Sequence, residues 1–258
     1  MRPGTLEIEG GTLETAWWGP PPDQASTLVL LHEGLGCVAL WRDIPERLAE
    51  TTGWGVFAYS RFGYGQSDPR PLPWPLTYMH QEAALLPQVL DAAGIRRMVL
   101  VGHSDGGSIA AIHAGTVGAD PALAGVVTLA AHFFVEEVNL TSIRRIRAEY
   151  ETTDLRHRLG RYHCNVDIAF RGWCDSWLDP RFRNFDLVPY LPRIACPMLA
   201  LQGADDPYGT EEQLHVLKRH TQAPLHTMLL PGAKHAPHLE AKGTTLGAIA
   251  GFIQGSPP

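Results

Sequence analysis

Ser104 stands at the centre of Gly102-His103-Ser104-Asp105-Gly106, a G-x-S-x-G spacing between a buried-type apolar run at 97–102 and a helical pattern at 104–116. A free serine hydroxyl is a weak nucleophile, so chemistry here needs an exposed hydroxyl with a base beside it. A sharp strand-to-helix turn supplies the exposure. Gly102 and Gly106 suit that turn, because side chains there would collide with the neighbouring strand and helix. The turn also sets the Asp105 N–H at a helix N-terminus, where it can donate to a developing oxyanion. The chemistry anticipated is attack on a carbonyl.

The base and its orienting acid are expected on later loops at the carboxyl ends of strands. The run at 197–202 leads into Gly203-Ala204-Asp205-Asp206-Pro207, and that at 225–230 into a loop containing Lys234-His235-Ala236-Pro237-His238. His235 is assigned the proton transfer and Asp206 the orientation of its imidazole. Asp205 and His238 are the competing choices; the G-x-x-D arrangement from Gly203 favours Asp206. His235-x-x-His238 has no third ligand at a sensible spacing, so neither metal nor cofactor is expected. The second oxyanion donor falls to the backbone N–H of Gly34, with Leu35 as the alternative, in the glycine-rich loop His32-Glu33-Gly34-Leu35-Gly36. Other histidines, including His32, His103 and His132, read as structural, with His32 and His132 at strand ends on the same edge.

These loops need a frame. Short apolar runs at 27–31, 55–59, 97–102, 125–130, 197–202 and 225–230 alternate with helical patterns at 38–50, 78–93, 104–116, 211–220 and 239–252. That alternation marks βαβ units around a mostly parallel sheet. Gly10-Gly11 between 5–9 and 12–18 adds an N-terminal hairpin. The alternation breaks at 134–193, where helix-like segments dominate. Ile143, Ile146 and Tyr150 share one helical face, and Val166, Phe170, Trp173 and Trp177 share another behind Asn165, an expected N-cap. A helical insert between two core strands must lie over one end of the sheet, so it reads as a lid with an aromatic inner face. The insert holds 10 of the 18 arginines against nine acidic residues. That balance describes a salt-bridged surface, not an anion-steering patch.

With 258 residues, 45% of them hydrophobic, the chain has ample material for a buried core and none of the character of a disordered one. A net charge of −6 without a basic cluster argues against nucleic acid or an anionic membrane as partner. No tract approaches the roughly 18 apolar residues of a membrane span. The charged start and four scattered cysteines without a CxxC pair point to a cytoplasmic protein with reduced thiols. Oligomeric state leaves no trace in the pattern.

Taken together, the 32–36 loop, Arg61-Phe62-Gly63-Tyr64-Gly65-Gln66-Ser67-Asp68, the Ser104 turn, the Asp206 loop and the His235 loop resemble the α/β-hydrolase family over nearly the whole length. The resemblance implies an α/β fold with a mostly parallel eight-stranded sheet flanked by helices, and a helical cap inserted after the sixth strand. The core is then 1–133 with 194–258, and the cap 134–193. In the family pattern the acid ends G-x-x-D, matching Asp206, and the base begins H-x-P-H, matching His235. Three positions depart from it. Glu33 stands where the family commonly has glycine. A free carboxylate there would oppose an oxyanion, so Glu33 is expected to turn away or be neutralised by Arg61 or a nearby histidine, with substrate binding or proton transfer as its alternative roles. Lys234 replaces a frequent glycine before the histidine. Serine at the turn, where haloalkane dehalogenases carry Asp, argues against carbon–halogen displacement.

The expected activity is hydrolysis of an ester, lactone or similar acyl bond of a small molecule. Phe133, Phe170, Trp173 and Trp177, with Phe134 and Glu33, form the expected pocket wall. Capped relatives with the same triad also hydrolyse C–C bonds or enol-lactones of aromatic catabolism. A non-catalytic ligand receptor on the same scaffold is the alternative of another class.

Overall fold

Apolar runs that keep both faces buried build the centre of this molecule, whose computed structural model describes residues 1–255. Eight strands form one sheet: β1 (Arg2–Ile8), β2 (Gly11–Trp18), β3 (Thr27–Leu31), β4 (Gly55–Tyr59), β5 (Met98–His103), β6 (Leu123–Leu129), β7 (Met198–Gly203) and β8 (Leu225–Leu230). Their spatial order is β1-β2-β4-β3-β5-β6-β7-β8. β2 runs antiparallel to both its neighbours, β1 and β4; every pair from β4 to β8 is parallel. β3, β4, β5 and β7 are buried along their full length. Their side chains alternate between two cores. Val29 and Leu31 of β3 enter one cluster, Leu28 and Leu30 the other.

Nine helices follow in chain order among the described residues: α1 (Ile44–Thr52), α2 (Tyr78–Ala92), α3 (Asp105–Val117), α4 (Glu137–Thr152), α5 (Leu155–Leu159), α6 (Val166–Leu178), α7 (Glu212–His220), α8 (Pro237–Glu240) and α9 (Lys242–Ile253). Ile44 and Leu48 of α1 pack with Ala248 and Ile249 of α9 on one face of the sheet. Helices α2, α3 and α7 cover the other. Helix α3, directly behind Ser104, is buried on nearly all sides, so its apolar residues show little amphipathic bias.

The helical pattern at 38–50 proves to be two pieces. A 3₁₀ turn over Val38–Trp41 ends where Arg42 takes a φ of 54°, and α1 restarts with Pro45 in its first turn. The pattern at 239–252 likewise divides into α8 and α9 at Ala241. Asn165 sits at the N-cap position of α6, but its side chain makes no capping bond and instead donates to Cys164 Sγ at 3.1 Å.

Between β6 and β7 lie α4, α5 and α6 and two 3₁₀ turns, Pro180–Asn184 and Val188–Arg193. This insert does not carry a separate core. Ile143, Tyr150, Phe170, Trp177 and Phe182 belong to the same apolar cluster as Val29 and Leu31 of the sheet. Its stem is pinned by an antiparallel bridge between Phe134 and Asp186. The Glu136 carboxylate accepts from Thr210 N–H at 3.0 Å and from Gln213 Nε2 at 2.7 Å. Among the described residues no helix is long and apolar enough to cross a membrane, and all four cysteines are free.

Candidate active site

The passage from β5 to α3 is built on contacts that leave no room for side chains. A Cβ on Gly102 would lie 2.2 Å from the Gly106 carbonyl oxygen, and one on Gly106 only 1.9 Å from that of Leu31. Ser104, between them, takes φ 51° and ψ −119°, a backbone conformation that L-residues rarely adopt. Its N–H donates to the Leu129 carbonyl of the neighbouring strand at 2.8 Å. The hydroxyl is thereby fixed at the strand end instead of turning into the helix.

Ser104 Oγ lies 2.9 Å from His235 Nε2, and His235 Nδ1 lies 2.9 and 3.0 Å from the two oxygens of Asp206. Asp206 also accepts from Gln202 Nε2 and Tyr208 N–H, both at 2.7 Å. Burial disfavours its charge, but the hydrogen bond and positive field of His235, helped by the Tyr208 N–H, hold its carboxyl below the usual range. Asp205, the competing acid, is exposed and uses its N–H to tie the Ala233 carbonyl at 2.9 Å. His238, the competing base, is buried with its ring 4.6 Å from His103 and 5.1 Å from Trp41. No group of three potential ligands for a metal occurs among the described residues.

The 32–36 loop is held from below. His32 Nδ1 donates to the Glu33 carbonyl at 2.7 Å while its Nε2 accepts from Arg61 N–H at 3.0 Å, so the ring is neutral. Arg61, fully buried, donates through its guanidinium to the carbonyls of His32 and Glu33. The Arg61 charge thus supports the loop's backbone and does not pair with the Glu33 carboxylate. That carboxylate meets His103, with Oε2 3.2 Å from Nδ1, while His103 Nε2 lies 2.6 Å from the His235 carbonyl. Both His103 nitrogens face acceptors, and only an imidazolium donates to both. Burial opposes this charge, but the Glu33 contact outweighs it and raises the His103 pKa. In turn His103 holds Glu33 far below the usual carboxylate range despite burial.

Ser104 and His235 open into a cavity of about 140 Å³, room for a benzene-sized group. Leu35, Ile143, Trp173 and Trp177 give it an apolar wall. The Trp173 indole lies so close to Gly34 that a Cβ on the glycine would sit 2.1 Å from Nε1. None of the backbone N–H groups of Gly34, Leu35 and Asp105 donates to another backbone carbonyl, and all three residues border the cavity. The Asp105 side chain turns inward, accepting from Tyr78 Oη at 2.5 Å and Trp177 Nε1 at 3.3 Å. Trp177 therefore braces the insert against the serine turn.

Three residues expected at the pocket are elsewhere, the first being Phe134, which bridges to Asp186 in the stem. Phe133 is fully buried in the stem, where its N–H donates to Gln213 Oε1 at 2.7 Å. Phe170 stacks on Tyr150 at 3.6 Å between ring centroids and borders an outer hollow of the insert instead. Asn139 and Tyr208 line the cavity without having been singled out by sequence, and His132 joins them from the end of β6.

A family model described as the alpha/beta hydrolase fold matches residues 26–184. The chain belongs to this family. The human protein named Serine hydrolase BPHL is 26% identical to this alpha/beta hydrolase over 192 residues, 71% of this chain and 64% of that protein. The match thus spans less than two thirds of that relative's length. Among solved structures, an epoxide hydrolase from hot-environment metagenomes is similar at a TM-score of 0.76 and 21% identity, covering 98% of each chain. A carboxylesterase from Nitrososphaera gargenis is similar at 0.77 and 17% identity, covering 97% of this chain and 98% of that one. At such identities these two share the fold.

Proposed function

We propose that this alpha/beta hydrolase is a serine hydrolase cleaving an ester, lactone or similar acyl bond of a small molecule. The observation that carries the reading is the unbroken line from Ser104 Oγ through the His235 ring to Asp206. Ser104 Oγ attacks the carbonyl carbon while its proton passes to His235 Nε2. Asp206 keeps Nδ1 protonated and stabilises the imidazolium. The oxyanion accepts from the N–H groups of Gly34 and Asp105. The tetrahedral intermediate then breaks its bond to the leaving alkoxide, which takes the proton from Nε2. A water attacks the acyl carbon, His235 takes its proton, and the acid leaves as that proton returns to Ser104.

The cavity admits one compact group, so the reading excludes long acyl chains lying wholly inside it. A fluorophosphonate probe is expected to label the protein at Ser104, and Ser104→Ala to abolish both labelling and ester turnover. Small aryl esters and lactones should be turned over faster than a vinylogous diketone from ring cleavage. Labelling that survives Ser104→Ala would defeat the assignment.

A further inference from the structure

The insert's wall of the cavity contains a polar group that the reaction above does not use. Asn139, in the first turn of α4, is 1% exposed and borders the same cavity as Ser104. Its Oδ1 is buried without a hydrogen-bond partner. Such orphaned acceptors are rare because burial removes their solvation and returns nothing. Ser142, one turn along α4, is already engaged, donating to the Pro207 carbonyl at 2.5 Å. Ile143 beside it is apolar.

The charged groups around this cavity are also engaged. The Glu33 carboxylate faces His103, and the Asp105 carboxylate accepts from Tyr78 and Trp177. His132, 2% exposed, has a buried Nδ1 without a partner. Burial, reinforced by His235, pushes its pKa down to about 3, so the ring is neutral near pH 7. What the cavity leaves unmatched is therefore neutral and polar. The Asn139 amide there, unbonded and able to exchange its two ends by rotation, is completed by an uncharged group that can both donate and accept. A cationic amine would need a free carboxylate and a carboxylate substrate a free cation, whereas Glu33 and His103 already satisfy one another.

We propose that Asn139 is a specificity-determining residue whose side-chain amide hydrogen-bonds a hydroxyl of the substrate, making compact hydroxylated esters or lactones the preferred class. This inference rests on the hydrolase reading and narrows it. A site built to bond a hydroxyl discriminates strongly against the analogue lacking it, because its own polar group is then left unpaired.

The test compares para-nitrophenyl butanoate with its 2-hydroxy and 3-hydroxy counterparts, and simple lactones with their hydroxylated forms. One hydroxylated position is expected to be preferred by roughly tenfold or more in kcat/KM, mainly through KM. Asn139→Leu should erase most of that preference, whereas Asn139→Asp, which places an acceptor for the hydroxyl at both terminal positions of the side chain, should retain it. Fluorophosphonate labelling of each variant reports whether it is folded. Should Asn139→Leu fail to label, Asn139→Ala and the unmodified enzyme decide in its place. The proposal is overturned if no hydroxylated substrate is preferred by the unmodified enzyme, or if the preference survives without the amide. Absence of labelling in the unmodified protein would instead remove the hydrolase reading, and this inference with it.

Discussion

The two walls of the cavity are made differently. On the sheet side, Ser104, His235, Asp206 and the 32–36 loop are held by close backbone contacts and by hydrogen bonds that cross between neighbouring loops. On the insert side, Ile143, Trp173 and Trp177 present shape, and a single tryptophan N–H reaches down to Asp105. The difference follows from what each wall must do. Proton transfer and oxyanion binding tolerate errors of a fraction of an ångström, whereas a wall that selects substrates needs only volume and one or two matched polar groups.

The sheet wall is most sensitive at its smallest residue. Gly106→Ala places a methyl group 1.9 Å from the Leu31 carbonyl oxygen, where backbone faces backbone and no rotamer relieves the clash. A cost of about 3 kcal/mol or more is expected, with fluorophosphonate labelling lost or reduced at least a hundredfold. Ile143→Ala removes far more volume from the opposite wall, yet should leave labelling readily measurable and mainly widen the range of accepted esters. Equal losses of labelling in the two variants would contradict the division between the walls.

An intermediate effect is expected at His103, which links Glu33 to the backbone of His235. His103→Gln should lower kcat by about tenfold to a hundredfold with a smaller change in KM, because the base moves while the cavity remains. The pair also has a pH signature. The raised pKa means that the His103 contribution is complete below its ordinary value of 6.5 and is lost as pH rises through the raised value. Glu33 works in the opposite direction, its contribution complete above 4.5 and lost as pH falls through its depressed value. The Tm of the unmodified protein should therefore decline as pH rises above 6.5 and through the raised value, and His103→Gln should flatten that decline. Besides Glu33, the groups facing His103 are His235, His238 and Asp206. Asp206 keeps a depressed pKa and does not titrate in that window.

Much of the sheet side was legible in sequence because its constraints are local. A strand pattern, two glycines around a serine and a helical pattern require one another within a dozen residues. The strand runs also stood out as short continuous apolar stretches bounded by turn residues, because they are buried on both faces. A histidine partner for Glu33 was among the expectations, but not which one, since His103 approaches only because β5 lies beside β3. Spacing put Phe170 and Trp173 on one face of α6, but that face is broad enough to meet two surroundings. Tyr150 captures Phe170 from the outer side while Trp173 turns to Gly34. Asn139 left no signal at all. An asparagine in a first helical turn is commonplace, and its meaning lies in the partner that its oxygen lacks.

The smallest effect is expected on the insert's outer surface, where charge is plentiful. Glu137 accepts from Arg144 at 2.8 Å and from Arg183 at 2.9 Å, all three side chains being more than half exposed. Hydrogen bonds from the two guanidinium groups, Arg144 first, lower the Glu137 pKa, which shows attraction but says little about stability. Water and counterions screen such charges, and fixing three long side chains costs conformational freedom that offsets much of the gain. Glu137→Gln is therefore expected to shift Tm by less than about 2 °C at low salt and by nothing measurable at high salt. Ester turnover should follow the unmodified enzyme, because the triad geometry does not pass through this surface. A large loss of turnover with an unchanged Tm would mean that this surface ion pair also governs how the insert's inner wall is placed over Ser104.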